Sequence, residues 1–324
     1  MTTLLPTKIA SRITMSHRPQ TTLFPIGSAL VLAAVAIGCG PDFDPGSLIE
    51  KTRVIGARVE VDGAPERAAP APGETATVTW LVTAPTAIPP LGWAFALCAP
   101  NALGKLSCDE APLDLYQGTQ SPPRVTIAVP GTDALGTAKS LILYGRICVS
   151  SVPTFDPVSG YPGCTDQGDG TTAAVSIKLQ DPAFPNHNPV ADRGFTFDGQ
   201  AWTAGSDPCL KGPRVKAGTD EHVIAIVSDG GDRESYTAIA GYPPVPTALR
   251  EALQISEFTT LGKLKTGSSF VEAAEAAPQT TVEVKWTTPA PVEVTAEAPV
   301  TFTFVVRDDR GGTDWTTRAV CVTP

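Results

Sequence analysis

Short runs of alternating apolar residues, separated by prolines and glycines, constrain this chain most strongly. The 29 glycines and 32 prolines make up 61 of its 324 residues, and most of them stand between the apolar runs. Proline and glycine break helices and favour turns. Alternation with a period of two is typical of strands that have one buried face. The sequence therefore predicts an all-β protein with many loops.

Six such runs in the first half predict a β-sandwich. They cover residues 54–61, 75–83, 93–98, 124–129, 141–149 and 173–179. In the first run we expect four side chains on one buried face, namely Ile55, Ala57, Val59 and Val61. The run at 141–149 is apolar on both faces, as a central strand can be.

A proline-rich stretch predicts a boundary between two domains. Residues 181–189 contain three prolines and no periodicity, which favours a short, stiff linker. Beyond it, strands are predicted at 194–202, 222–228, 281–287, 300–306 and 315–322, and a helix could begin at 249–253 before a strand at 254–256.

Three segments of the second half share a pattern. They are an apolar run that ends at Gly262, the sequence Trp286-Thr287-Thr288-Pro289, and a strand that runs into Val306-Arg307-Asp308 and then Gly311. Residues 250–322 thereby resemble the closing half of a PKD-like or bacterial Ig-like domain. Phe258 departs from this resemblance, because it stands near where such domains often carry Trp. The resemblance implies a fold and not a chemistry.

The first 38 residues have the features of a secretory signal. Lys8, Arg12 and Arg18 precede the short apolar run Ile26–Gly38, and no acidic residue is present. The apolar run is too short to span a bilayer. Translation could start at Met1 or at Met15, and either start leaves the same mature chain.

Cys39 directly follows this run, in the sequence Ala36-Ile37-Gly38-Cys39. The segment resembles the lipobox of bacterial lipoproteins, with Ala36 where Leu is commonest, and implies that Cys39 is lipidated and becomes the first residue. The alternative is a cysteine that follows an ordinary signal by chance. Gly40 is not the Asp of the known retention signal, which favours the outer membrane. The whole chain resembles two-domain lipoproteins of unknown role from myxobacteria.

The predicted organisation follows from these boundaries. A lipoprotein signal peptide (1–38) precedes a tether (39–49), an N-terminal β-sandwich domain (50–180), a linker (181–189) and a C-terminal PKD-like or Ig-like β-sandwich domain (190–324). The mature chain has 324 − 38 = 286 residues, and its 24 − 3 = 21 basic against 33 acidic residues give a net charge of −12. Such an acidic chain repels phosphate backbones, so we expect no nucleic-acid partner.

Six cysteines remain in the mature chain, and an even number in an exported protein predicts disulfides. Of the 15 possible pairings, position along the chain suggests Cys98–Cys108, Cys148–Cys164 and Cys209–Cys321. A cysteine-based zinc site is the alternative, but the chain has no Cys-x-x-Cys pair.

Catalytic candidates are few. The chain has no Gly-x-Ser-x-Gly motif. We expect His222 to be a strand residue at a sheet edge and His187 to be a solvated linker residue. Four carboxylates lie among glycines and could either cap tight turns or bind Ca²⁺, with turns favoured: Asp229, Asp232, Asp308 and Asp309. The segment 166–170 has the same ambiguity.

The tryptophans offer the last candidate site. Trp80 and Trp286 fall on inward strand faces and should be core residues, whereas Trp202 stands between glycines and could be exposed. We therefore expect a non-enzymatic cell-envelope lipoprotein with a structural, adhesive or protein-interaction role and no cofactor. Its partners would be the membrane, through Cys39, and an envelope protein or polysaccharide. The alternatives are a carbohydrate-binding or polymer-binding lipoprotein, supported if Trp202 formed an aromatic platform, and a hydrolase, supported by a buried carboxylate pair in a cleft.

Overall fold

The computed structural model describes residues 46–100, 105–108, 110–166, 170–204, 208–218, 220–229, 233–240, 243–275, 277 and 279–324. Strands make up 52% and helices 4% of it, which confirms the predicted all-β sandwich fold. These residues belong to one compact unit, Asp44–Pro324. The described part contains no helix that is long and apolar enough to cross a membrane.

The first half folds into two antiparallel sheets and a small hairpin. One sheet has the order β1-β2-β5, the other has the order β4-β3-β6-β9, and β7 pairs with β8. In chain order these elements are β1 (Arg53–Val61), β2 (Thr75–Thr83), β3 (Gly92–Cys98), β4 (Asp114–Gly118), β5 (Arg124–Ala128), α1 (Thr132–Leu135), β6 (Ser140–Cys148), β7 (Pro153–Phe155), β8 (Pro162–Cys164) and β9 (Gly170–Lys178).

The second half contains two larger sheets and a separate hairpin. The sheets have the orders β11-β10-β13-β19-β17 and β12-β21-β20-β16-β18, and among the described strands β14 pairs only with β15. The elements are β10 (Phe195–Phe197), β11 (Gln200–Ala201), α2 (Pro208–Lys211), β12 (Arg214–Lys216), β13 (Glu221–Asp229), β14 (Ser235–Ala240), β15 (Val245–Arg250), β16 (Leu253–Thr259), β17 (Lys263–Leu264), β18 (Ser268–Val271), β19 (Gln279–Thr287), the 3-10 turn Pro291–Glu293, β20 (Ala298–Asp308) and β21 (Thr313–Thr323).

Each half has its own hydrophobic core between its two sheets. In the first half Trp80 stacks on Phe95, with ring centroids 5.0 Å apart, among inward Val, Leu and Ile side chains. In the second half Trp286 packs edge-on against Phe302 at 5.0 Å. Strand β6, apolar on both faces, lies between β3 and β9, which confirms its predicted central position.

A third apolar cluster joins the halves and corrects one prediction. Strand β1 has a β-bulge between Val54 and Gly56. An extra residue at a bulge reverses the facing of the side chains on either side of it. Ile55 therefore does not share the core face of Val59 but packs against Ile49 and Val305 of the small cluster between the halves.

Two predicted elements of the second half are wrong. The strand expected over residues 194–202 is a tight hairpin of β10 and β11, because Asp198 and Gly199 have φ values of 46° and 77° and reverse the chain. The helix that could begin at 249–253 is absent. These residues end β15 and begin β16, since Arg250 pairs with Ser235 and Leu253 pairs with Asp308.

Residues predicted as tether and linker are packed against the body. Ser47 and Ile49 are 7% and 2% exposed, and Ile49 N donates to Thr259 O at 2.8 Å. In the linker, the Asn188 side-chain amide donates to Val59 O at 2.7 Å and its oxygen accepts from Thr313 N at 3.0 Å. One asparagine thereby bonds both halves.

Candidate functional site

A partly buried group of charged and amide side chains lies where the two halves meet. It brings together the linker, the two ends of the β14–β15 hairpin and the β20–β21 turn. We call it the junction cluster, and its members are Asn186, His187, Glu234, Glu251, Asp308 and Arg310.

Arg310 is the hub of the junction cluster. Its Nη1 donates to Glu234 Oε2 at 3.2 Å and to Glu251 Oε1 at 3.0 Å, and its Nη2 donates to Phe184 O. Its guanidinium also lies over the ring of Tyr236, 5.1 Å from the centroid. A buried carboxylate needs such charge-assisted partners to remain in the interior, so this arginine holds the linker and the hairpin to the turn.

Glu251 is the most perturbed member of the cluster. Its side chain is 1% exposed, and burial, followed by the nearby charge of Asp308, raises its pKa to about 8. The amide of Asn186, oriented with its nitrogen toward Glu251 Oε1 at 2.9 Å, is a further donor. Perturbed carboxyl groups are common at functional sites, although structural ion-pair networks also produce them.

A buried arginine next to the junction cluster anchors a hairpin that stands outside both sandwiches. Buried Arg233 donates to three backbone carbonyls, those of Glu251 (2.7 Å), Glu275 (2.9 Å) and Glu272 (2.6 Å). Beyond this base the hairpin exposes Ile239 (68%) among mostly exposed neighbours. An isolated two-stranded hairpin is marginally stable, so the buried base keeps it in place.

Asp308 caps a turn, as the sequence predicted for the segment 308–312. Its Oδ1 accepts from Arg310 N and from Gly312 N, each at 2.8 Å, and burial raises its pKa. The carboxylate of Asp309 accepts from Tyr236 Oη at 2.9 Å. Asp229 ends β13, and Asp232 lies outside the described residues. The choice between turns and Ca²⁺ at the pair of loops stays a prediction.

An open groove runs beside the junction cluster. Its volume is about 440 Å³, and its walls are β1, β9 and the β20–β21 turn. Trp80 lies among its lining residues. The indole N–H of this residue, which is 2% exposed, has no hydrogen-bond partner among the described residues.

Three disulfides are present, in the pairing that the positions along the chain suggested: Cys98–Cys108, Cys148–Cys164 and Cys209–Cys321. Cys209 and Cys321 also lie close to Glu297. Because their sulfurs are bonded to each other, neither offers the thiolate that a metal needs. Disulfides of this number are typical of an oxidising, extracytoplasmic compartment. Cys39 lies outside the described residues.

The two local disulfides hold a pair of neighbouring loops on the first half. Tyr161 Oη donates to Cys108 O at 2.5 Å and joins one loop to the other. Four side chains are exposed by at least 42%, two in the loop that Cys148–Cys164 closes and two in the segment that runs from Cys108 into β4. We call them the stapled surface: Leu113, Leu115, Val158 and Tyr161.

The histidines differ in part from the prediction. His222 is not at a sheet edge, since β13 lies between β10 and β19, and its Nδ1 contacts Asp198 Oδ2 at 2.7 Å. His187 is 41% exposed at its side chain, and its Nδ1 contacts Glu234 Oε1, so this linker residue belongs to the junction cluster.

Two of the three tryptophan predictions are confirmed and one is wrong. Trp80 and Trp286 are core residues, as predicted. The exposed position predicted for Trp202 is wrong, because it is 3% exposed and its Nε1 donates to Ala319 O at 3.1 Å. The tight β10–β11 turn folds this residue back over the sheet. It therefore forms no surface platform for a sugar.

Sequence reasoning missed Glu257 altogether. It shares the inward face of β16 with Leu253 and Ile255, is 0% exposed, and neither of its oxygens has a hydrogen bond among the described residues. Burial raises its pKa to about 7, and the nearby hydroxyl of Ser269 opposes that shift only in part. The alternation of the strand was the available signal, because it places a carboxyl group at a core position.

No protein-family model matches the chain, and no curated protein matches it.

Proposed function

We propose that the protein is a non-enzymatic lipoprotein of the cell envelope. Lipid on Cys39 holds it at a membrane, with the outer membrane favoured. Its two Ig-like β-sandwiches, the second of them PKD-like, have a structural, adhesive or protein-interaction role. The three disulfides support the extracytoplasmic part of this proposal.

The stapled surface is the observation that carries the interaction role. Val158 is 95% exposed, and Leu113 and Tyr161 are 47% and 43% exposed. The Cys148–Cys164 disulfide limits the freedom of the loop that presents Val158 and Tyr161, so binding there costs less conformational entropy. Apolar side chains grouped on rigid loops mark interaction surfaces.

The short tether supports attachment close to a membrane. Leu48 already forms a β-bridge with Thr259, nine positions after Cys39. Nine extended residues reach at most about 30 Å. A lipid on Cys39 would therefore keep the body within a few tens of ångströms of the bilayer.

A hydrolase remains the second candidate, and Glu251 with Asp308 is its support. Glu251 has a pKa of about 8, and Asp308 lies beside it and lines the groove. A general acid must reach its substrate. Glu251 is 1% exposed and accepts hydrogen bonds from Arg310 and from Glu234 N. These bonds stabilise the fold and leave the carboxyl group out of reach of a substrate, so the hydrolase ranks second.

In-cell cross-linking of the intact lipoprotein tests the interaction role. We expect one or a few envelope proteins to cross-link, and Leu113→Asp with Val158→Asp to reduce their yield at least tenfold. Val292→Asp is the matched control, because Val292 is 84% exposed but lies in the second half. Equal loss in the control, or no reproducible cross-linked protein, would contradict the proposal.

A further inference from the structure

We propose that the groove between β1 and β9 binds an extended peptide segment of a partner protein, which pairs with β9 as an added strand. The inference deepens the interaction role proposed above and rests on it. It concerns a different surface from the stapled surface, so the two can fail separately.

Strand β9 offers a free edge. Among the described strands it has one neighbour, β6, and the groove lies along its other side. Its sequence, Gly170–Lys178, contains no proline and no charge before Lys178. Proteins usually protect exposed edges with charges, prolines or bulges. An unprotected edge that lines a groove is suited to β-strand addition.

Strand β1, on the opposite wall, is protected. It carries the bulge at Ile55, and side chains from the linker and the second half occupy its outward carbonyls. Arg307 donates to Ile55 O, and Asn188 donates to Val59 O. The contrast assigns the pairing to β9 and leaves β1 as the facing wall.

Two buried polar atoms at the groove have no hydrogen-bond partner in the part of the chain that the structure describes. The indole N–H of Trp80 is an orphan donor, and Asp308 Oδ2 is an orphan acceptor on a side chain that is 8% exposed. Unmatched buried polar groups are rare in folded proteins. A peptide backbone supplies a carbonyl for the first and an N–H for the second. The face of the Trp80 ring is already stacked on Phe95, which disfavours a sugar lying on it.

The lining side chains define the peptide. Gly56, Ala57, Ala173 and Ala174 are small, so another backbone can approach closely. Lys178 and the carboxylates Asp308 and Asp309 line the same groove, so its charged groups favour neither an acidic nor a basic peptide. The expected segment is extended, proline-free and rich in small residues.

Selection from a phage library of linear heptapeptides, against the full chain in detergent, provides a defined probe. The best peptide is synthesised and its Kd is measured by fluorescence polarisation. We expect at least a tenfold weaker Kd with Ala174→Arg, which crowds the edge, and a threefold to tenfold weaker Kd with Trp80→Phe, which keeps the ring and removes the N–H. Thr126→Arg, at an exposed position on the edge strand β5, is the control and should leave Kd unchanged.

Backbone methylation of the peptide separates strand pairing from other binding. Two versions of the peptide are compared, one N-methylated at its odd positions and one at its even positions. One version should lose binding and the other should keep it, because only every second N–H of an added strand faces its neighbour. Uniform tolerance, no selected peptide, or binding unaffected by Ala174→Arg would overturn the proposal. So would binding of a soluble glycan that depends on Trp80 while no peptide binds. None of these outcomes bears on the cross-links made through the stapled surface.

Discussion

The two sandwiches differ in how much of the chain their disulfides enclose. In the first half the disulfides span 10 and 16 residues, and the edge strands β1 and β9 lie beside an open groove. In the second half one disulfide spans 112 residues and joins the helix α2 to the last strand, β21. Local staples fix loops, whereas a long-range bond fixes the whole domain. Both interaction surfaces that we propose lie on the first half, where the disulfides are local.

Contacts at the junction hold the two halves together. The turn that caps the groove belongs to the second half, and Arg58 of the first half donates to Asp314 of the second at 2.7 Å. Arg310 joins the same turn to the linker and the hairpin base. Charged side chains of the second half thus fix the position of the groove wall that the first half provides.

The largest expected effect sharpens the contrast between disulfides. In the chain-entropy model a bond that closes a loop of roughly 100 residues contributes about 5 kcal/mol, and one that closes roughly 15 residues contributes about 3 kcal/mol. We expect Cys209→Ala with Cys321→Ala to lower the free energy of unfolding by more than Cys148→Ala with Cys164→Ala. Urea denaturation of both double variants measures this. A larger loss from the local pair would break the comparison.

A second variant tests the junction. Arg310→Met leaves Glu251 and Glu234 without their cation, and removing one partner of a buried pair costs about 3–5 kcal/mol. We expect a loss near the lower end, because Glu251, with its pKa raised to about 8, can take up a proton. Arg193→Met, a change on a half-buried arginine outside the cluster, should cost less. Calorimetry would also show whether the two halves then unfold separately.

Glu257 provides a pH-dependent test of the second half. Its pKa is about 7 in the fold against an ordinary 4.5. Below pH 4.5 both folded and unfolded chains keep the proton, so the group costs nothing. Between about 4.5 and 7 the unfolded chain loses its proton first, so stability falls, by up to about 3 kcal/mol above pH 7.

Glu257→Gln should therefore raise the melting temperature at pH 8 and change it little at pH 4. The exposed Glu283→Gln, on β19 of the same half, is the control. An equal effect of Glu257→Gln at both pH values would show that the carboxyl group is not buried as described.

The smallest expected effect concerns calcium. Because Asp308 Oδ1 is taken by two backbone N–H groups and Asp309 by Tyr236, we expect no shift in melting temperature between EDTA and millimolar Ca²⁺. A rise with Ca²⁺ that Asp308→Ala removes would replace the turn interpretation by a calcium site and favour calcium-dependent adhesion.

Strand alternation in the sequence was sufficient to predict the fold class and most of the long strands. It failed where a single residue changed the geometry. The bulge at Ile55 and the reversal at Asp198 each follow from local backbone conformation that apolar periodicity does not encode. The exposed position predicted for Trp202 was wrong for the same reason, since the β10–β11 turn directs this residue into the core.

The junction cluster could not be predicted from the sequence. Its members lie between positions 186 and 310, and each resembles an ordinary surface residue in its own segment. Only the fold brings Glu251, Asp308 and Arg310 together. Disulfide pairing was easier, because two pairs are local and the third then follows.

The most direct test of the proposed lipid anchor is detergent-phase partitioning of the intact protein, with the mass of its N-terminal peptide measured alongside. The proposal predicts that the wild-type chain enters the detergent phase and that this peptide begins at Cys39 and carries acyl chains. Cys39→Ser should leave the protein in the aqueous phase or unprocessed, because acyl chains would be its hold on the membrane. A Cys39→Ser protein that still enters the detergent phase like wild type would contradict the lipid anchor.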